Sequence, residues 1–274
     1  MHRFVRRIAS ALMVAWWCAT ATAADWPQYR GPDRTDVSRE TGLLQAWPKG
    51  GPKLAWTYED AGVGYSGVAV VGNRLYTMGA RGDTEFLIAL DLKDGAAPAQ
   101  AYAAKLGPKF EFKSNSWSAG PSSTPTVDGD AIYALTGRGL LVCVASADGV
   151  EKWRVDLPTE LGAEINPIGG GPPKLGWGFT WSPLVDGDRL IVAPGGPKGT
   201  LAALDKKTGK PIWRSVGLGE QASYASPVAA EIHGVKQYLA LTNQGLTGVS
   251  AADGKPLWSW KGRLSTEVVN TPIV

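Results

Sequence analysis

Histidine and cysteine are nearly missing from this chain, with two of each in 274 residues. His2 and Cys18 fall within the first 23 residues, which leaves His233 and Cys143. A lone cysteine beyond that point has no intrachain disulfide partner. A Cys/His zinc site, a CxxC redox pair and a CxxCH haem attachment are excluded on the same count. Charge of one sign is lacking too. Arg3, Arg6 and Arg7 account for the whole formal charge of +3, so acids and bases balance beyond residue 23. No bulk field remains to draw in nucleic acid or an anionic membrane. Sustained helical periodicity is absent, and beyond the leader no apolar run is long enough to span a bilayer. Turn residues are plentiful instead, with 35 glycines and 19 prolines.

Residues 1–23 read as a secretory signal peptide. They run from a basic start through the apolar stretch Ile8–Trp17 to the small-residue pattern Ala21-Thr22-Ala23, so Ala24 is the expected mature start. An exported, periplasmic protein follows from this. Residues 24–53 read as an extended N-terminal segment and residues 54–274 as repeats.

The repeats are plain. Ser66-Gly-Val-Ala-Val, Ser123-Thr-Pro-Thr-Val, Trp181-Ser-Pro-Leu-Val, Ala225-Ser-Pro-Val-Ala and Asn270-Thr-Pro-Ile-Val recur at intervals of 57, 58, 44 and 45 residues. A turn and an apolar strand follow each of the first four. A third strand comes next, over Phe86–Leu92, Leu140–Ser146, Leu201–Lys206 and Leu246–Ala251, each ending at a glycine: Gly95, Gly149, Gly209 and Gly254. Trp153, Trp213 and Trp258 stand four residues after the last three of these glycines, with Tyr102 as the stand-in in the first copy and Trp56 opening the series upstream. The pattern predicts an all-β chain of four-stranded antiparallel β-propeller blades, with the recurrent tryptophans packing between them.

Ala203-Leu-Asp-Lys-Lys-Thr-Gly-Lys-Pro-Ile-Trp213 resembles the tryptophan-docking repeat of the PQQ-type (quinoprotein-like) β-propeller family, A-x-D-x-x-T-G-x-x-x-W. Ala89–Gly95 matches its first half, and Cys143–Trp153 and Gly248–Trp258 are weaker copies. The opening Asp25-Trp-Pro-Gln-Tyr-Arg-Gly-Pro-Asp-Arg34 is similar to the start of exported, BamB-like members. The resemblance implies seven or eight blades. Four complete units and the first strand of a fifth are present, so a partial propeller belonging to a longer closure is expected.

Most polar motifs read as structure. Val127-Asp-Gly-Asp130 and Val185-Asp-Gly-Asp188 are hairpin turns rather than calcium loops, Arg81-Gly-Asp83 lies at a strand connection, His233 sits in a turn and Cys143 in a buried strand. The site-like feature is positional. Two long connections, about residues 103–121 and 155–179, share a face with the loops between second and third strands. Aromatics and hydroxyls gather there, Ser226 among them, giving Tyr65, Ser66, Trp117, Ser118, Trp177, Phe179, Trp181 and Tyr224 as candidate ligand-binding residues. Trp56, Trp153, Trp213 and Trp258 are the expected structural docking residues. No catalytic or metal-ligating residue is assigned.

These features favour an exported, non-catalytic propeller acting as a binding or assembly scaffold through its loop-rich face, toward a protein or a small-molecule or glycan ligand. No cofactor is expected on that reading. The resemblance also admits a dehydrogenase of alcohols or sugars using PQQ with calcium, with Asp25, Glu160, Glu164 and Glu267 as unselected carboxylates. The family's adjacent cysteine pair is missing. A carbohydrate-binding propeller using the same aromatics is the third expectation.

Overall fold

The structure, a computed structural model, describes residues 24–112, 119–165, 176–262, 264 and 268–274. The leader and the Gly169–Pro172 run lie outside these residues. The first sheet comprises β1 (Ala69–Val71), β2 (Arg74–Arg81), β3 (Thr84–Lys93) and β4 (Ala96–Pro108). The second holds β5 (Thr126–Asp128), β6 (Ala131–Leu135), β7 (Leu140–Ala145) and β8 (Glu151–Asp156), and a single helical turn, α1 (Leu157–Leu161), follows it. The third holds β9 (Leu184–Asp186), β10 (Arg189–Val192), β11 (Ala202–Asp205) and β12 (Pro211–Arg214). The fourth holds β13 (Val228–Ile232), β14 (Val235–Thr242), β15 (Gly245–Ser250) and β16 (Pro256–Lys261). Every sheet is an antiparallel meander in chain order, and β5 lies between β1 and β9. The architecture is that of a partial β-propeller, with first strands lining the axis.

Two-residue turns join the first and second strands, pairing Val71 with Arg74, Asp128 with Ala131, Asp186 with Arg189 and Ile232 with Val235. In the last turn His233 and Gly234 both take positive φ, 51° and 74°, as a primed hairpin turn requires. The Asp-Gly-Asp pieces are two-residue hairpin turns as well, with positive φ at Gly129 and Gly187 alone. Their leading carboxylates reach to the next blade, Asp128 to Lys206 at 2.7 Å and Asp186 to Lys236 at 2.5 Å. Cys143 is buried in β7, which pushes its thiol up to about 11.

The docking residues work between blades. The fourth-strand rings of the first three blades lie against the turn glycine of the following blade. A Cβ on Gly149 would sit 2.5 Å from Tyr102, one on Gly209 2.8 Å from Trp153, and one on Gly254 would overlap the Trp213 ring. Trp258 instead covers Gly248 of its own sheet and donates to Gln237 Oε1 at 2.7 Å. Trp56 departs from the expected pattern. It is 36% exposed, and nothing stands within 4 Å of a Cβ on Gly95, the corresponding turn glycine of the first sheet. The residues around Trp56 form no strand that could hold its ring in place.

Ala96–Pro108 continue as one strand, and bulges opposite Ala89/Leu90 and Glu85/Phe86 absorb the extra residues. Asn270–Val274 form no strand.

A second inter-blade device was not legible as such. The residue before each strand-opening proline is a hydroxyl residue, and from Ser182 onward its oxygen accepts the backbone N–H of its counterpart one blade earlier. Thr124 N–H donates to Ser182 Oγ at 2.9 Å, Ser182 N–H to Ser226 Oγ at 2.9 Å, and Ser226 N–H to Thr271 Oγ1 at 3.2 Å. All four residues are buried. Ser182→Ala should leave the Thr124 N–H without a partner, at a cost of about 1–3 kcal/mol. Urea unfolding checks this, and Ser182→Thr, which keeps the oxygen, should lose less.

Candidate functional site

One face gathers the long connections and the loops between second and third strands. Glu85, at the start of β3, organises this face from beneath. Its carboxylate accepts Phe110 N–H at 2.9 Å and Gly137 N–H at 3.1 Å, so one side chain pins the connection leaving blade 1 and the β6–β7 loop. It has no exposed surface, and burial raises its pKa against the two N–H bonds and the nearby Arg138. Phe179 N–H then binds Gly137 O at 2.9 Å, and Ala222 N–H binds Glu164 O at 2.8 Å. The α1 turn is capped at its start by Asp156, which accepts Thr159 N–H at 3.2 Å, while Glu160 accepts Asp156 N–H at 2.8 Å.

At the axis this face opens into a cavity of about 270 Å³. Tyr29, Tyr65, Ser122, Trp177, Thr180, Ser182, Tyr224, Ser226 and Val269 line it. Trp177 and Tyr224 lie 5.1 Å apart, centroid to centroid, tilted by 34°. The Tyr224 hydroxyl accepts the backbone N–H of Trp177 at 3.3 Å, and the Thr180 hydroxyl donates to Tyr224 O at 3.2 Å. These bonds fix two aromatic faces beside a set of hydroxyls, an arrangement suited to stacking with hydrogen bonding.

Of the candidate ligand-binding residues, Tyr65, Trp177 and Tyr224 come together here. Trp117 and Ser118 lie outside the described residues. Three others are placed differently. Phe179 and Trp181 are core residues, 1% and 0% exposed, because the chain from Gly178 onward dives between blades 2 and 3. The Ser66 hydroxyl is spent on Ser123 O at 2.8 Å, holding blade 1 to blade 2. Tyr29, Ser122, Thr180, Ser182 and Val269 were not anticipated. Tyr29 stood in the conspicuous opening motif, but nothing local in sequence places that motif at the axis.

The described lining carries no guanidinium, ammonium or carboxylate. A tricarboxylate quinone needs cationic partners, and calcium needs several hard oxygen ligands. The described residues also contain no cluster of three His, Cys, Asp or Glu side chains able to hold a metal. Asp25, one of the carboxylates considered, accepts Gly72 N–H at 2.8 Å, and Glu160 is the helix cap described above. Glu267 lies outside the described residues. The described lining of this cavity therefore does not fit PQQ with calcium.

Fold and repeat together define a PQQ-like repeat β-propeller. A family model described as outer membrane protein assembly factor BamB matches residues 84–273, well over half of the chain. The chain belongs to that family. Among solved structures it is similar to BamB from Moraxella catarrhalis, at 18% identity and a TM-score of 0.50, over 77% of this chain and 57% of that one. It is also similar to a europium-containing methanol dehydrogenase, at 13% identity and a TM-score of 0.51, over 86% of this chain and 58% of that one. At these identities the likeness is one of fold. The chain spans less than two thirds of the length of either structure. No curated protein matches it. Among the described residues no helix is long and apolar enough to cross a membrane.

Proposed function

We propose that this chain is part of an exported, non-catalytic β-propeller that binds a protein partner through its loop-rich face, with the aromatic cavity at the centre of the contact. The observation that carries this is the cavity lining, which is rings and hydroxyls without a charged group among the described residues. Such a surface can bind and orient a ligand by stacking and hydrogen bonding, and it presents no imidazole, thiol or carboxyl group among the described lining residues. The titratable side chains best placed to act are engaged elsewhere. Glu85 is sealed beneath the loops, Cys143 lies within a strand, and His233 is in an exposed turn. Membership of the assembly-factor family supports a periplasmic location and a protein partner.

The test places a photo-crosslinking side chain at Tyr65, 61% exposed at the cavity mouth. A control carries it at Val235, 46% exposed in the fourth blade. A defined adduct in the periplasm from Tyr65 but not Val235, lost on Trp177→Ala at unchanged thermal stability, is the expected result. Equal adducts from both positions would remove the cavity from the argument. The dehydrogenase reading makes the opposite forecast, namely a saturable absorbance change on titration with PQQ and calcium together with alcohol-dependent dye reduction. The stacked Trp177–Tyr224 pair keeps a glycan ligand as a second reading, and retention on a glycan array abolished by Trp177→Ala would favour it.

A further inference from the structure

The propeller axis is rich in carbonyl groups. Three of them accept side-chain donors from outside their own sheets, and Pro183 O already accepts the Thr126 hydroxyl of the second blade at 2.7 Å. Ser182 O, Pro183 O and Pro227 O converge on one guanidinium, that of Arg34. Its Nη1 donates to Pro227 O at 2.9 Å and to Ser182 O at 3.3 Å. Its Nη2 donates to Ser182 O at 3.3 Å and to Pro183 O, and its Nε donates to Gln28 Oε1 at 3.1 Å. Arg34 is 6% exposed, and no carboxylate among the described residues pairs with it. The group that neutralises a buried cation elsewhere is replaced here by carbonyl dipoles from two blades, contributed by residues 148 to 193 positions away.

The segment that carries Arg34 is built to deliver it. Arg30, Gly31, Arg34 and Asp36 all take positive φ, coiling the chain into a compact turn closed by Asp36 N–H to Arg30 O at 3.0 Å and by an Arg30–Asp36 ion pair. Trp26 packs across Gly31, where a Cβ would come within 2.8 Å of the ring. The same segment bonds to the other two blades. Trp26 exchanges two hydrogen bonds with Val70 of β1, at 2.7 and 2.8 Å, and Pro27 O accepts Val127 N–H of β5 at 2.8 Å. One stretch of chain thus joins the first strands, or the residues leading into them, in all four blades.

We propose that the axis of this propeller is a guanidinium-binding site assembled from strand-opening carbonyls, and that residues 25–36 occupy it as a ligand supplied in cis. The planar five-donor fork is what the site reads, because a lysine ammonium has three donors and cannot span carbonyls from two blades in one plane. Burial lowers the Arg34 pKa to about 9, which leaves it charged at neutral pH. Occupancy also explains the cavity above. Tyr29 of the same segment forms part of its wall.

Arg34→Gly tests this on the whole chain. Glycine adopts the positive φ of this position without strain, so the variant adds no backbone strain to the loss of the side chain. The thermal midpoint should fall by roughly 5–10 °C. Millimolar methylguanidinium should restore at least half of that fall, while methylammonium at the same concentration restores none and neither ion moves the parent protein. Arg34→Lys should lose nearly as much as Arg34→Gly and gain nothing from methylammonium. A parental midpoint in Arg34→Gly, or equal response to the two ions, overturns the proposal. Should Arg34→Gly give no soluble protein, Arg34→Lys decides, because parental stability in that variant means the fork is not what the axis recognises.

Discussion

Replacing Trp213 with alanine should destabilise the fold by about 3–5 kcal/mol, the range for removing a large buried aromatic side chain. Trp213 is 9% exposed, lies 6.0 Å from the ring of Tyr238 on the next blade, and covers that blade's turn glycine, Gly254. Its indole N–H is buried without a hydrogen-bond partner among the described residues. Trp213→Phe should therefore cost clearly less than Trp213→Ala, since it keeps much of the ring and removes the unpaired donor. Gly254→Ala attacks the same contact from the other side. Its Cβ would overlap the indole, at a φ of +73° that side chains rarely adopt. In the double variant the clash disappears while the backbone strain remains, so the two single losses should sum to more than the double variant loses. Urea unfolding of the parent, the two single variants and the double variant checks this. Strict additivity would mean that the ring and the glycine do not depend on one another.

The repeat made most of the fold legible. The third strands expected at Phe86–Leu92, Leu140–Ser146, Leu201–Lys206 and Leu246–Ala251 fall within a residue or two of β3, β7, β11 and β15. Strand, turn and docking residue are all set by neighbours in sequence, so a local pattern reports them. The contacts that were not legible join distant residues. The hydroxyl latch links positions 44 to 58 residues apart, and Arg34 reaches across 148 or more. Ser and Thr before proline also look like ordinary strand-opening residues until the blades are side by side. Aromatic clustering did not show which rings line the cavity, because Trp177 and Trp181, four residues apart, pack on the same core and only Trp177 also reaches the cavity.

Glu85→Ala should cost about 2–5 kcal/mol, because it leaves the Phe110 and Gly137 N–H groups buried without an acceptor. The loss should be local as well as global. Both loops that Glu85 holds belong to the face around the cavity, so amide exchange at Phe110 and Gly137 should accelerate more than exchange in β11 or β15. Glu85→Gln removes the titration; it also replaces one of the two accepting oxygens with an NH2 group, a loss that does not depend on pH. Burial raises the Glu85 pKa in the folded state, so the native protein holds a proton there that the unfolded chain has already released. That contribution to stability is fully present below the unfolded carboxyl value, about 4.3, and is lost as pH rises through the folded value. The parent should therefore lose stability relative to Glu85→Gln as pH rises through this window, and the difference between them should level off above it. Carboxylates held by cations, such as Glu151 with Arg154, shift in the opposite direction, but they are common to both proteins and cancel in the comparison. Parallel stability curves for the two proteins across the window would show that Glu85 stays ionised throughout, with its two N–H donors outweighing the cost of burial.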